Sequence, residues 1–544
     1  MRHTIITAVV ALMAFITAQA QTAIEIVYSG ASASVSIPAG VAGVTAAVNG
    51  ANVTILSTTT TNEYVYRVRG QSPDGSLLIS GSYKLQLQLA GLDLTNAHGG
   101  AAIDVECGKR IAVELMAGTQ NSLADAAGTQ KGAFYFKGHA EFEGSGTLSV
   151  TGRAKHAICA KEYIELKSST GTINVLGAVS DGIHCGKGKV NNENNYFKMN
   201  GGVVNIANIG GDGIDSDDYG TILIKGGSLN VNVSGTDADG LKADSTLTLE
   251  GGTVNINVTG QESNALRCCW NAYLNGGTLD ITAVADGSKG IKGKQQTAKT
   301  VNGGGSVYLA GTDINILCSG DYTVTDGDTT KCMGISVDAD LYHTAGNVSI
   351  QACGQQARTY NVKGTESLSP TFHTYWCPMK FNPYAWQYSM TAYAQLTVDG
   401  LQADLTDYTL VACVGDECRG TATVATADDG TQYAELRIYS NTASGESISF
   451  RAYDADGNPQ ACNETVTFGS DSLSGTPGSP LSLTAGTASA TPGDMDGDGQ
   501  LTVSDITLLI DTYLNSNYTA QGDMDGDGEI TVSDITQLIA AYLE

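Results

Sequence analysis

A five-residue pattern, Gly-x-apolar-polar-apolar, returns through the middle of the chain at Gly146–Val150, Gly171–Val175, Gly202–Ile206, Gly227–Val231, Gly252–Ile256 and Gly277–Ile281. The last residues of successive copies lie 25, 31, 25, 25 and 25 apart, and looser copies end at Ile316 and Ile350. Alternation with period two specifies a strand. A fixed period of this size specifies a solenoid, because each repeat buries its apolar face only against its neighbours. Such a repeat holds three short strands with their turns, one coil of a parallel β-helix, with equivalent positions stacked ~4.8 Å apart in ladders. Leucine-rich repeats need an L-x-x-L-x-L signature that is absent, and propeller blades need a period of about 40 residues. The longer intervals are insertions at one turn, where loops and function concentrate.

A second column follows the first: Asp181-Gly182-Ile183, Asp212-Gly213-Ile214 and Asp239-Gly240-Leu241, with Asn264-Ala265-Leu266 as a degenerate copy. The apolar residue points inward, and Gly permits the tight turn. Stacked carboxylates repel unless cations or hydrogen bonds intervene. Asp212, Asp215, Asp217, Asp218, Asp237, Asp239 and Asp244 crowd two neighbouring coils. Two readings follow. Ca²⁺ sits between coils, held by Asp181, Asp212, Asp215, Asp217 and Asp239, or each Asp satisfies loop amides. The order of these motifs from Tyr83 (YKLQLQLAGLDLTNAHGGAAIDV) to Gly364 resembles a secreted parallel β-helix family of carbohydrate-binding proteins. That resemblance implies a right-handed parallel β-helix over 81–365, Ca²⁺ between coils, and a non-catalytic binder of cellulose or acidic plant cell-wall glycans. Residues 21–80 are expected to form an N-terminal β segment or cap.

Near the C-terminus a motif is duplicated. Asp494, Asp496, Asp498, Gln500 and Asp505 recur 29 residues later as Asp523, Asp525, Asp527, Glu529 and Asp534. Carboxylates at loop positions 1, 3, 5 and 12 converge on one hard cation, with a backbone carbonyl from position 7 and Gly at the sharp turn. Oxygen-only donors select calcium over softer metals. From Thr491 onward there are 11 acidic residues and no Lys or Arg, so two Ca²⁺ change a charge of -11 to -7. The segment is expected to be loosely folded without metal. One helix follows each loop, near Ser504–Leu514 and Ser533–Leu543, and Asp rather than Glu closes the loop. Both features make residues 494–544 resemble a type I dockerin. The resemblance implies docking to a cohesin module through Val503, Ser504 and Ile510 or, equivalently, Val532, Ser533 and Ile539.

The flanking regions complete the reading. Residues 1–20 carry Arg2 and His3, an apolar run and an Ala18-Gln19-Ala20 cleavage site, the pattern of a secretory signal. The protein is therefore expected to be extracellular. With 29 basic and 56 acidic residues, a net charge of -27 argues against nucleic acid or anionic membrane as partner. An exported chain permits disulfides, and Cys413 and Cys418 are spaced to close a small loop, while Cys159, Cys185 and Cys268 read as buried thiols. Residues 366–394 are rich in aromatics. They form either a cap on the last coil or a sugar platform with Trp376 and Trp386, and Trp270 with Tyr273 is a second platform. Residues 395–485 alternate like a small antiparallel β-sandwich, and 486–493 read as a linker.

Parallel β-helices also carry pectin-active enzymes. Of the glycosidase motifs only Asp217-Asp218 matches, and Gly138-His139-Ala140 fails. A lyase needs a basic residue, for which Arg267, Lys289 and Lys292 are the candidates. A polysaccharide lyase or hydrolase and a structural surface stalk therefore stand as alternatives to the non-catalytic binder.

Overall fold

The computed structural model describes residues 23–543 apart from 187–194, 299–300, 326, 355, 378, 399–400, 428–429, 456, 487–491, 497–500, 516–517 and 520. The leader at 1–20, most of the linker, and the loop residues Asp498 and Gln500 lie outside the described residues.

The molecule is mainly β, with large parallel sheets consistent with a solenoid. The repeat strands pair in parallel, one copy on the next. Val150 lies opposite Val175, then Ile206, Val231, Ile256, Ile281, Ile316 and Ile350 follow in unbroken register. A second run of parallel strands starts at Arg110–Leu115, and the 11-residue strand Leu85–Thr95 joins it to the first. The Asp-Gly-Ile segments stack in a separate 13-stranded sheet. Parallel pairing runs beyond residues 81–365, from Ala23–Ser29 at one end to Phe372–Cys377 at the other. Inward side chains from all three faces merge into a single apolar core. Two of the longer intervals are antiparallel hairpins projecting from a turn, Gln296–Ala298 with Val301–Gly303 and Tyr322–Thr325 with Asp328–Lys331.

The Gly of the Asp-Gly-Ile column answers to close approach. A Cβ on Gly213 would lie 2.4 Å from the Gly240 carbonyl oxygen and 2.5 Å from Val231 Cγ1. Neither the next coil's backbone nor a core valine yields easily. Gly213→Ala is expected to cost about 3 kcal/mol, the upper part of the overpacking range, read as a lowered denaturant midpoint with unchanged m-value.

The following domain corrects the sandwich expectation. Tyr388–Val398 pairs with Gln432–Ser440, which continues through Glu417–Thr426, Thr409–Val414, Ser444–Tyr453, Pro459–Gly469 and Leu481–Ala485. Leu481–Ala485 then pairs back onto Tyr388–Val398, so the sheet closes into a barrel. Register shifts at Ala412/Cys413 and Ser449/Arg451 mark where strands bend to close the ring. A sandwich and a barrel share the same alternation of inward and outward residues, so the strand pattern alone could not separate them.

The barrel packs on the last coil. Cys353, Cys377 and Phe381 meet Val411, Cys413, Cys418 and Tyr453 in one buried cluster. Thr421 Oγ1 donates to Gln351 Oε1 at 2.6 Å, and Gln351 donates to the Ala422 carbonyl. Cys413 and Cys418 face each other across a hairpin as unbonded buried thiols. Cys159, Cys185 and Cys268 are buried as well. Two helices end the described chain, α1 (Val503–Leu514) and α2 (Val532–Leu543). Among the described residues no helix is long and apolar enough to cross a membrane.

Candidate calcium loops and glycan-binding surfaces

The duplicated loops are built alike. Thr502 caps α1 in a capping box, which turns Asp505 back toward the loop. Asp505 Oδ1 accepts from the amides of Met495 and Asp496 at 2.8 and 3.1 Å, and Oδ2 accepts from the Thr502 amide at 2.7 Å. Asp534 repeats this with Met524 at 2.8 Å and Thr531 at 2.8 Å. Both aspartates are fully buried. Burial works against the Asp505 charge, but the surrounding amides prevail and hold its carboxyl below the usual range. Carboxylate oxygens of Asp494, Asp496 and Asp505 lie within 4.8 Å of one another, as do those of Asp523, Asp525 and Asp534. Asp527 and Glu529 are exposed beside the second group. These hard oxygen donors, gathered without a basic side chain, fit calcium.

The Asp-Gly-Ile column behaves differently. Asp181, Asp212, Asp215 and Asp239 are buried, and Asp217 is half-buried. Each Asp first binds the next coil: the Asp212 amide donates to Asp181 at 3.0 Å, and the Asp239 amide donates to Asp212 at 2.7 Å. The remaining charge meets cations of the chain itself. Lys242 Nζ lies 3.0 Å from Asp212 and 3.2 Å from Asp215, and Arg267 lies 3.1 Å from Asp239. His156 and His184 stack with ring centroids 4.3 Å apart and turn Nδ1 toward Asp181 at 2.9 and 3.2 Å. His184 Nδ1 also reaches Asp215 at 3.1 Å, and its Nε2 is 3.9 Å from Asp217. A donor set that mixes imidazole with carboxylate and already holds an ammonium does not fit a hard cation as the C-terminal loops do. Carboxylate oxygens of Asp181, Asp212 and Asp215 nevertheless lie within 4.8 Å of one another, so the column combines internal pairing with a carboxylate cluster.

Two residues that the sequence reading passed over, His184 and Lys242, complete a column with Asp215, Arg267 and Lys292. The position after Ile183, Ile214, Leu241, Leu266 and Ile291 is His184, Asp215, Lys242, Arg267 and Lys292, in continuous register. Reading the repeat one residue further would have found it.

Burial opposes the charge on His184, but the carboxylates of Asp181 and Asp215 outweigh it and raise its pKa to about 9. Its charged form therefore contributes stability that is fully present below about pH 6.5 and is lost as pH rises through about 9, ~3 kcal/mol in all. The unfolding midpoint should fall between pH 7.5 and 9.5, and His184→Gln should flatten that fall. An equal slope in the variant would contradict the assignment.

The candidate bases are mostly occupied. Arg267 is bound to Asp239, and Lys292 donates to Asp338 at 3.0 Å and Ser336 at 3.2 Å. Lys289 donates to the Gly287 carbonyl at 3.0 Å, and burial lowers its pKa.

Each candidate platform is contacted by other parts of the chain and is half-buried. Gly303 and Gly304 run across the indole of Trp270, where a Cβ on Gly304 would come 2.8 Å from the ring. The face of Tyr273 is stacked on Tyr308 at 4.9 Å. Gly457 of the barrel presses on Trp376, which donates to the Gly354 carbonyl at 3.2 Å. Arg419 lies over Trp386 at 4.3 Å. All three tryptophans are half-buried, and Trp376 and Trp386 lie at the joint with the barrel.

No curated protein matches the chain. One solved structure is similar, described as the polysaccharide lyase-like protein from C. thermocellum in a gadolinium derivative. It is 21% identical with a TM-score of 0.38, and the match covers 46% of this chain and 97% of that one. Residues 492–543 match the type I dockerin domain. Residues 49–339, more than half of the 544, match the family described as carbohydrate-binding domain-containing protein, and the chain belongs to that family.

Proposed function

We propose that this protein is an exported, non-catalytic polysaccharide binder, a right-handed parallel β-helix tethered to a cohesin-bearing partner by a calcium-dependent dockerin. The observation that carries the reading is the union in one chain of a carbohydrate-binding family match over 49–339 with a dockerin match over 492–543. The ligand is cellulose or an acidic plant cell-wall glycan. The tether raises the local concentration of the glycan near whatever the partner carries.

In the dockerin, Asp494, Asp496, Asp498 and Asp505, with the Gln500 carbonyl, would hold one calcium. Asp523, Asp525, Asp527 and Asp534, with the Glu529 carbonyl, would hold the other. The ions supply countercharge that this acidic segment lacks. The chain's own residues then present the partner face. Val503 and Val532 are each 59% exposed, Ile510 and Ile539 are 38% and 39% exposed, and Ser504 and Ser533 lie at the surface beside them. Leu509 and Leu538 are fully buried and hold the two helices together.

Pairing of Arg267 and Lys292 with carboxylates supports the absence of catalysis, since neither is free to take a proton. A lyase is the second reading, favoured by one observation: burial opposes the charge on Lys289 and lowers its pKa. Incubation of the intact chain with polygalacturonate decides between them. The binder releases no unsaturated uronate. Release that disappears in Lys289→Ala would establish the lyase, and failure to retain any glycan would leave only a structural stalk.

A further inference from the structure

We propose that the face of the stack overhung by the barrel and its entry turn is a groove for a neutral, hydroxyl-rich glycan chain. The proposal rests on the polysaccharide-binding reading and adds to it a site and a sugar class.

The floor comes from neighbouring repeat strands, Ser228–Val233, Thr253–Val258, Thr278–Ala283 and Asp313–Cys318. Their outward residues stand in register, Asn230, Asn255, Asp280 and Asn315 in one column. Along the first part each carboxamide donates to the preceding coil: Asn230 to Asn205 at 2.8 Å and Asn255 to Asn230 at 2.8 Å. Asp280 interrupts the run because an ionised carboxylate has no proton to pass on. It accepts instead from Asn315 at 2.8 Å. In the neighbouring column, Asn257 Oδ1 is buried and has no hydrogen-bond partner. Asn257 also lines the hollow bordered by Tyr384.

Two hollows lie over this floor, about 290 Å³ bordered by Tyr384 and about 180 Å³ bordered by Thr423 of the barrel. They share Asp280 and Thr282, so together they form one groove crossing several coils. Tyr384 sits in the turn Pro383–Ala385, capped by Asn382, and is 59% exposed. An exposed aromatic edge or face above a row of amides suits a sugar ring, whose C–H surface meets the aromatic while its hydroxyls meet the amides.

Charge selects the class of sugar. None of the four floor strands contains Lys or Arg, and their ionisable acids are Asp280 and Asp313. A uronate chain would bring carboxylates against these acids with no countercharge from the floor. A neutral glycan meets no such opposition.

Titration calorimetry of the intact chain with a soluble cello-oligosaccharide and with an oligogalacturonide of equal length tests this. The neutral ligand should bind, and Tyr384→Ala and Asn257→Ala should each weaken it at least tenfold. Tyr384 is exposed, so its loss leaves folding intact, which an unchanged unfolding midpoint verifies. Retention of cello-oligosaccharide affinity in Tyr384→Ala and Asn257→Ala would overturn the groove and leave the polysaccharide-binding reading standing. Tighter binding of the oligogalacturonide would overturn the sugar class. Failure of the intact chain to bind either would overturn the broader reading and the groove together.

Discussion

Replacing Val503 and Val532 together by Asp should reduce cohesin capture more than 100-fold, a loss of at least ~2.7 kcal/mol. Either substitution alone should reduce it only about twofold, the statistical cost of removing one of two equivalent binding modes. The asymmetry between single and double variants follows from the duplication. The two helices carry the same V-S-D-I-T start, and their exposed apolar residues largely match: Val503 with Val532 at 59%, Ile510 at 38% with Ile539 at 39%, and Leu514 at 71% with Leu543 at 75%, while Leu508 corresponds to Gln537. The core is duplicated too. A Cβ on Gly493 would press on Leu538, and one on Gly522 would press on Leu509, so each loop leans on the opposite helix. A carboxylate at the centre of an apolar docking face loses its hydration without gaining a partner. Because both valines are exposed, the module itself should still fold. Calorimetric titration of an immobilised or soluble cohesin reads the result. Complete loss from one single variant would show that only one helix docks.

Lys242→Met should lower stability by about 3–5 kcal/mol, the cost of leaving a buried charge without its partner. Asp212 and Asp215 are 8% and 4% exposed, and Lys242 bonds to both from the next coil. Burial pushes the Asp212 pKa up to about 7, with Lys242 the largest opposing influence. Once the ammonium is gone, that carboxyl must either carry a proton or remain an uncompensated buried charge. The double variant Lys242→Met/Asp212→Asn should recover part of the loss, because the amide keeps the hydrogen bond to Asp239 without the charge. Equilibrium denaturation at neutral pH measures both. Restoration of the single variant by added Ca²⁺ would show that the column can hold a metal after all.

These two predictions draw on parts of the molecule that differ in how openly the sequence displays them. The valine and isoleucine ladder is legible because register in a parallel stack is simply the residue interval, and the intervals run unbroken from Val150 to Ile350. The duplicated acidic loops are legible because their carboxylates lie close together in sequence. The pairing of the Asp column is not, since its partners arrive from the next coil: Asp212 meets Lys242 and Asp239 meets Arg267 across about one repeat. Aromatic content was a poor guide for a similar reason. Trp376 and Trp386 are contacted by Gly457 and Arg419, residues distant in sequence. Barrel closure likewise depends on Leu481–Ala485 returning to Tyr388–Val398, a pairing that no local pattern encodes. Asn257, conversely, reads as an ordinary outward strand residue, and only the fold brings it to the hollow that Tyr384 borders.

Retention of the intact, calcium-loaded chain on insoluble cellulose, with the supernatant assayed for new reducing ends and unsaturated uronates after parallel incubation with polygalacturonate, tests the central claim most directly. The account predicts retention on the glycan with no released sugar from either substrate. Released sugar would make the protein an enzyme, and a chain recovered entirely in the wash that also fails to bind polygalacturonate would be no glycan binder at all.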